Sequence, residues 1–372
     1  MVWRFAVITL VVLASLRGAS AGDQPSSIAK LSRADGQVFV TAEGGTEGAA
    51  RAGQALMPGT RVRTGASGAA ELLFNDGTRA QLRANSSMML SGTKRVESKK
   101  SAVVLFFGRL WSKVAKANTG ETSYEVNTPN AVAGVRGTEF ETAVGDDGTV
   151  RVRVDEGKVA VEDDDDEIFV SEDEQVDADA DGTDEKEEAS DDSTWKKWEG
   201  DASARAKKDG SKVMGSVKDK VNARKAKIEA LRTQQTDLEA KRKGLESRAK
   251  AGDATAAAEV KRINQELKRI ANEIADLGDS AASQFGYADH LADLANDPRF
   301  GMIGAKNIAA EAKSLRRIKA DLDKMVKEGT DISVEAMDQM LRDMGDGKRG
   351  TLKDKKGSTT KDLFGDDDMD MR

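Results

Sequence analysis

The chain has no cysteine, a single histidine (His290), four prolines and only 4% aromatic residues across 372 positions. The missing thiol excludes disulfides, thiolate metal sites, cysteine nucleophiles and lipoprotein acylation together. One histidine leaves no HExxH zinc site or histidine pair, and no His-based triad is expected. His290 lies in an Ala- and Asp-rich helical stretch and reads as a surface residue. Neither common glycine-rich phosphate loop is present. No catalytic, cofactor-binding or metal-binding residue is therefore expected, and the chain reads as non-enzymatic. Apolar content of 38% against 33% charge cannot fill one core along the whole length, so extended helix or disorder is expected in part.

The net charge of −7 is unevenly placed. Residues 1–161 carry +5 and residues 193–372 carry +5, while residues 162–192 hold 18 acidic side chains against Lys186 alone. The acidity is a local band and implies neither a nucleic acid nor a membrane partner. At the start, Arg4 precedes an apolar run over residues 5–16, followed by Ala19-Ser20-Ala21. Twelve apolar residues are too few to span a bilayer, so residues 1–21 read as a cleaved signal peptide. A secreted, periplasmic or cell-envelope protein is expected, with no membrane span once the signal is removed.

Residues 28–176 carry strand periodicity and frequent glycine turns, predicting one all-β domain, either a sandwich or a solenoid-like β-stack. Two hairpin registers follow from keeping apolar residues on one face. Around Asn75-Asp76-Gly77, a three-residue loop with left-handed Gly77 sets Leu72 opposite Ala80. Around 145–149, a five-residue loop sets Val144 opposite Val150, Phe140 opposite Val154 and Glu141 opposite Arg153. Between Val126 and Phe140 the chain must bend. Pro129 biases Thr128 towards an extended conformation, and Gly134 and Gly137 permit a double bend around Val135 and Arg136. Arg136 is expected to tie bend carbonyls or Glu139 together.

The pattern Thr128-Pro129, Ala131, Val135-Arg136-Gly137-Thr138 and Phe140, followed by Glu156-Gly157 and Val159, resembles the signature of the FecR domain. In weaker form the likeness extends over residues 29–176. The resemblance implies an all-β envelope domain of regulatory character, with Thr128, Pro129, Val135, Arg136, Gly137, Thr138, Phe140 and Gly157 as its structural motif.

Residues 162–167 are all carboxylates. They lack the spaced ligands and glycine of calcium loops, and read as a solvated, self-repelling loop. Residues 177–193 have almost nothing to bury and are expected to form a disordered linker. From 194 to 344 the period becomes helical. Met214, Val217, Val221, Ile228, Leu231, Leu238 and Leu245 form one stripe, and Val260, Ile263, Leu267, Ile270, Ile274 and Leu277 a second. Ala251-Gly252-Asp253 supplies a stop and a new N-cap, so the pair reads as an antiparallel coiled-coil hairpin. Shorter helices are expected at 280–295, 305–328 and 333–344, then a disordered tail over 345–372. Lys241-Arg242-Lys243 lies among alternating charges and reads as a solvated helix face.

The expectation is a multidomain chain: a FecR-like β domain, an acidic tether and a helical docking region that fold separately. Its role would be a non-catalytic interaction, scaffold or sensory module with protein partners in the envelope, and self-association through the helices. The alternative, implied by the resemblance, is a transmembrane anti-sigma regulator.

Overall fold

The computed structural model describes residues 27–92, 101–116, 124–164, 166–190 and 192–350, without the side chains of 192–193 and 332–350. The expected signal peptide, and the tail beyond 350, lie outside the described residues. Eighteen strands precede three helices among the described residues. The first are β1 (Ala29–Asp35), β2 (Val38–Thr41), β3 (Gly48–Ala49), β4 (Ala55–Leu56), β5 (Arg61–Thr64) and β6 (Ala69–Phe74). Next come β7 (Arg79–Leu82), β8 (Ser87–Leu90), β9 (Ser101–Lys113), β10 (Tyr124–Asn127), β11 (Val132–Val135) and β12 (Glu139–Val144). The last are β13 (Val150–Glu156), β14 (Lys158–Glu162), β15 (Glu167–Ser171), β16 (Glu174–Asp179), β17 (Gly182–Thr183) and β18 (Glu187–Glu188). The helices are α1 (Asp192–Lys250), α2 (Ala254–Asn296) and α3 (Ala305–Gly350).

The long strand β9 belongs to two sheets. Its first half pairs with β8 and, in parallel, with β10, while residues from Gly108 onward pair with β12 and β7. Gly108 makes this crossing possible. Its φ is +88°, and a Cβ there would lie within 2.6 Å of three atoms of Ser86. One sheet runs β4-β1-β6-β7-β9-β12-β13-β16, with β17 and β18 on its far edge. The other runs β3-β2-β5-β8-β9-β10-β11-β14-β15. A strand that switches sheets forms the corner of a sandwich-like packing. Inside, the ring of Tyr124 from the second sheet meets Phe74 and Phe140 from the first edge-on, at 5.7 and 6.4 Å.

Both predicted registers are present. Leu72 faces Ala80 with Gly77 at φ +89°, and Val144, Phe140 and Glu141 face Val150, Val154 and Arg153.

The acidic stretch is not a free tether. Residues 177–190 continue β16 and fold back as β17 and β18, with Ala178 opposite Thr183 and Glu174 opposite Glu188. Edge-strand hydrogen bonds order this backbone, and cations meet its charges: Arg151 grips Asp177 and Lys186 grips Glu174. The sequence pattern registers the like charges but not these partners from distant strands.

Helices α2 and α3 are longer than their sequence patterns suggest, since each runs unbroken through the boundaries expected near 278 and 330. Asp253 caps α2, accepting from the amides of Thr255 and Ala256. Between α1 and α2, Ile228, Leu231, Ile270 and Ile274 are buried, and α3 adds Ile308, Leu315 and Leu322. The two regions are not separate units either. One apolar core runs from Leu72 and Val152 of the sheets to Tyr287, Ala288 and Leu291 of α2. The contiguous apolar face of α2 needs a cover, and β9 supplies it.

Candidate functional site

The signature stretch sits where sheet meets helix. After β10 the backbone turns on Thr128, whose amide and hydroxyl both bond to Ala131. That turn leaves two carbonyls outside any ladder, and α2 accepts the task of pairing them. Ser283 donates to the Thr128 carbonyl at 2.8 Å and Gln284 to the Pro129 carbonyl at 3.2 Å, both from buried side chains. Asn130 ties the same bend to the Gly148 carbonyl at 2.8 Å. The second bend turns on Gly137, at φ +63°, whereas Gly134 lies within β11. Here Arg136 is exposed, and Glu139 bonds Lys113 at 2.6 Å. The bend is held by Thr138, whose hydroxyl lies 3.0 Å from the Lys158 carbonyl and 3.3 Å from that of Arg136. Val135 and Phe140 are buried core residues, and Gly157 turns β13 into β14 at φ +94°.

The loop between β12 and β13 is a second point of attachment. Asp146 accepts from Ser203 of α1 and lies 2.9 Å from Nε2 of His290 on α2. The Tyr287 hydroxyl donates to its carbonyl at 2.8 Å, and Arg205 pairs with Asp147. Burial pushes the Asp146 carboxyl up, but the hydrogen bonds from His290 and Ser203 outweigh it and hold its pKa below the usual value. His290 is thus no ordinary surface residue. Its ring stacks on Phe107 with centroids 3.8 Å apart and its side chain is 13% exposed.

A third attachment covers the outer face of the first sheet. Glu141 points away from the β core, as its alternation requires, yet is only 1% exposed. Arg109 binds it through two hydrogen bonds of 2.9 and 3.2 Å, with Arg83 and Arg153 at 3.5 and 3.7 Å. Trp195 and Trp198, one turn apart on α1, close over this charged patch. Trp195 lies 4.2 Å from the Arg109 guanidinium, Trp198 lies 5.2 Å from that of Arg151, and Trp198 donates to Asp177 at 3.1 Å. A guanidinium over an indole face is an attractive pairing once water is excluded. No sequence signal marks this clamp beyond two tryptophans spaced three apart after an acidic run.

The acidic loop also meets α1. Asp164 bonds Arg224 at 2.9 Å and lies 3.2 Å from Lys220, so this end of the run is paired instead of solvated. Burial lowers the Arg224 pKa while Asp164 pulls it back up. Between this loop, the bend at Thr128 and the two helices lies a cleft of about 710 Å³. Elsewhere on the helices, Lys241 pairs with Glu259, and Arg242 with Glu239 and Glu246. Among the described residues no group of three or more His, Asp or Glu side chains could hold a metal ion. No described helix is long and apolar enough to cross a membrane.

No curated protein matches the chain. Among solved structures, two crystal structures of a candidate anti-sigma factor from Parabacteroides distasonis ATCC 8503, at 1.65 and 2.50 Å resolution, are similar at 22% identity. Each has a TM-score of 0.31, and the matches cover 37% and 36% of this chain. They span 63% and 61% of the matched chains, less than two thirds of either. The segment that holds the Thr128 and Gly137 bends, the Asp146 loop and Glu141 is also the segment with a family assignment: residues 60–160 match the FecR protein family.

Proposed function

We propose that this chain is a cell-envelope FecR-domain protein that works without catalysis, as a regulatory interaction module whose β domain carries a long helical arm. The FecR match over residues 60–160 supports a regulatory role. The observation that carries the reading further is the triple attachment at Thr128, Asp146 and Trp195. It sets the arm rigidly on the sheets, so a partner at the hairpin turn acts on both parts at once. At 1.5 Å per residue, the 59 residues of α1 extend about 90 Å. Its far end beyond Gln235 packs against α2 through Leu238, Leu245, Ile263 and Leu267.

Residues 1–21 are the proposed export signal. The mature protein from its native host should begin at Gly22 or a near neighbour, and mass spectrometry finding Met1 retained would count against envelope export. The interaction role is tested in cells by a photo-crosslinker at exposed arm positions such as Asp237 or at exposed sheet positions such as Arg33. Discrete protein adducts from the arm, lost when residues 239–266 are replaced by a short Gly-Ser turn, are expected. Adducts only from the sheets, unchanged by that deletion, would overturn the arm's role.

A further inference from the structure

Strand β15 is the outer edge of the second sheet. It pairs with β14 on one side, and among the described residues no strand pairs with the other. The remaining sheet edges end differently, since β3, β4, β17 and β18 are each two residues long. Very short edge strands are a common protection against stray pairing. With five residues, β15 lacks it.

The ladder fixes which backbone groups are left over. The Glu172 amide donates to the Gly157 carbonyl and the Asp163 amide to that of Asp166, both at 3.0 Å. Pairing alternates along an antiparallel strand, so Ile168 and Val170 turn their main chain towards β14. Glu167, Phe169 and Ser171 turn theirs outward. Glu174 accepts from the Ser171 amide at 2.8 Å, while the amides and carbonyls of Glu167 and Phe169 have no ladder partner.

The side chains around this edge narrow what fits it. Phe169, at its centre, is 47% exposed, with the Lys158 ammonium 4.4 Å from the ring centroid. Asp166 and Glu167 flank it on one side and Glu172 and Asp173 on the other, all exposed. None of these four carboxylates has an ion-pair partner among the described residues. A second copy fits poorly. Antiparallel pairing of two β15 strands about Phe169 would set Asp166 of each opposite Glu172 of the other, and like charges directly opposed are destabilising. Cations at both ends of an incoming strand meet the opposite situation.

We propose that β15 is a docking edge for an extended segment of a partner protein, apolar at its centre and basic on both flanks, which adds to the second sheet as a further strand. Main-chain bonds to Glu167 and Phe169 hold it, its apolar centre lies against the Phe169 ring, and its cations meet the four carboxylates. The edge belongs to the β domain and not to the arm, so either role can fail without the other.

The test is calorimetric titration of the full chain with the terminally capped heptapeptide KKVTVKK. A Kd on the order of 100 μM or tighter is expected. The control peptides EEVTVEE and KKVPVKK should bind tenfold or more weakly, the first lacking the charges and the second a central amide. Phe169→Pro removes one outward amide and no bond to β14, and should weaken KKVTVKK tenfold or more. Glu167→Lys combined with Glu172→Lys should reverse the preference, so that EEVTVEE binds better than KKVTVKK. Both glutamates are exposed, so this pair keeps the test valid should circular dichroism show that Phe169→Pro fails to fold. No heat with KKVTVKK up to about 2 mM, equal binding of KKVPVKK, or wild-type affinity in folded Phe169→Pro would each overturn the proposal. Dimers in sedimentation that Phe169→Pro abolishes would give the edge to a second copy and overturn it as well.

Discussion

Replacing Trp195 with alanine asks whether sheets and helices are one folding unit. The side chain is 1% exposed, lies against Ala143 of β12 and meets Trp198 edge-on at 5.8 Å. It also covers the Arg109 guanidinium at 4.2 Å. Removing a buried tryptophan costs about 3–5 kcal/mol, of which the cation–π contact is roughly 0.5–2 kcal/mol. The loss also opens the Glu141 cluster to water, so the upper half of that range is expected. Urea unfolding followed by far-ultraviolet circular dichroism and by intrinsic fluorescence measures it. At a denaturant slope of roughly 3 kcal/mol per M, the midpoint should fall by about 1.3–1.7 M. Both probes should move together, because helix and sheet share a core. A midpoint unchanged within error, or sheet and helix signals that separate into two transitions in the wild-type chain, would refute the integrated fold.

Glu141→Gln should be costly, about 3–5 kcal/mol by chemical denaturation, since it leaves Arg109, Arg83 and Arg153 facing a neutral amide. Arg83→Ala, whose side chain is 43% exposed, should cost less than about 1 kcal/mol in the same assay. Gly286→Ala should lower the melting temperature even though alanine is the better helix former. A Cβ there would lie 2.1 Å from Phe106 Cδ1, and relieving that overlap should cost about 1–3 kcal/mol. The Asp146 carboxyl is held below its ordinary value, so its contribution is present above the unfolded-state pKa near 3.9 and is lost as pH falls through the folded value. Stability measured from about pH 5 downward should therefore fall more steeply in wild type than in Asp146→Asn.

Local geometry was legible in the sequence and the long-range seam was not. The hairpin registers at Leu72 and Val144 follow from alternation and loop length, which neighbouring residues carry between them. The Asp253 cap and the α1–α2 turn are equally local. The hydroxyl of Thr138 reaches across the second bend to the Lys158 carbonyl, a contact that no local pattern marks. The acidic stretch misled. Its partners Arg151, Lys220 and Arg224 lie tens of residues away, so composition alone reads as repulsion. His290 and Trp195 carry no periodic signal, and only the contact of α2 and α1 with the sheets shows what they do.

The way α2 holds the β domain divides the two surfaces unequally. Ser283, Gln284 and Tyr287 each donate to a main-chain carbonyl, those of Thr128, Pro129 and Asp146. A carbonyl is present whatever side chain its residue carries. The helix therefore recognises the path of the backbone, and only the helical partner needs particular side chains for these three bonds. For these three bonds, loop substitutions should be tolerated as long as the chain follows the same course, whereas the bond from His290 does depend on the Asp146 carboxylate. Grafting α2 onto another β domain of this shape would then require matching loop geometry and, of its side chains, the partners of His290 at Asp146 and Phe107.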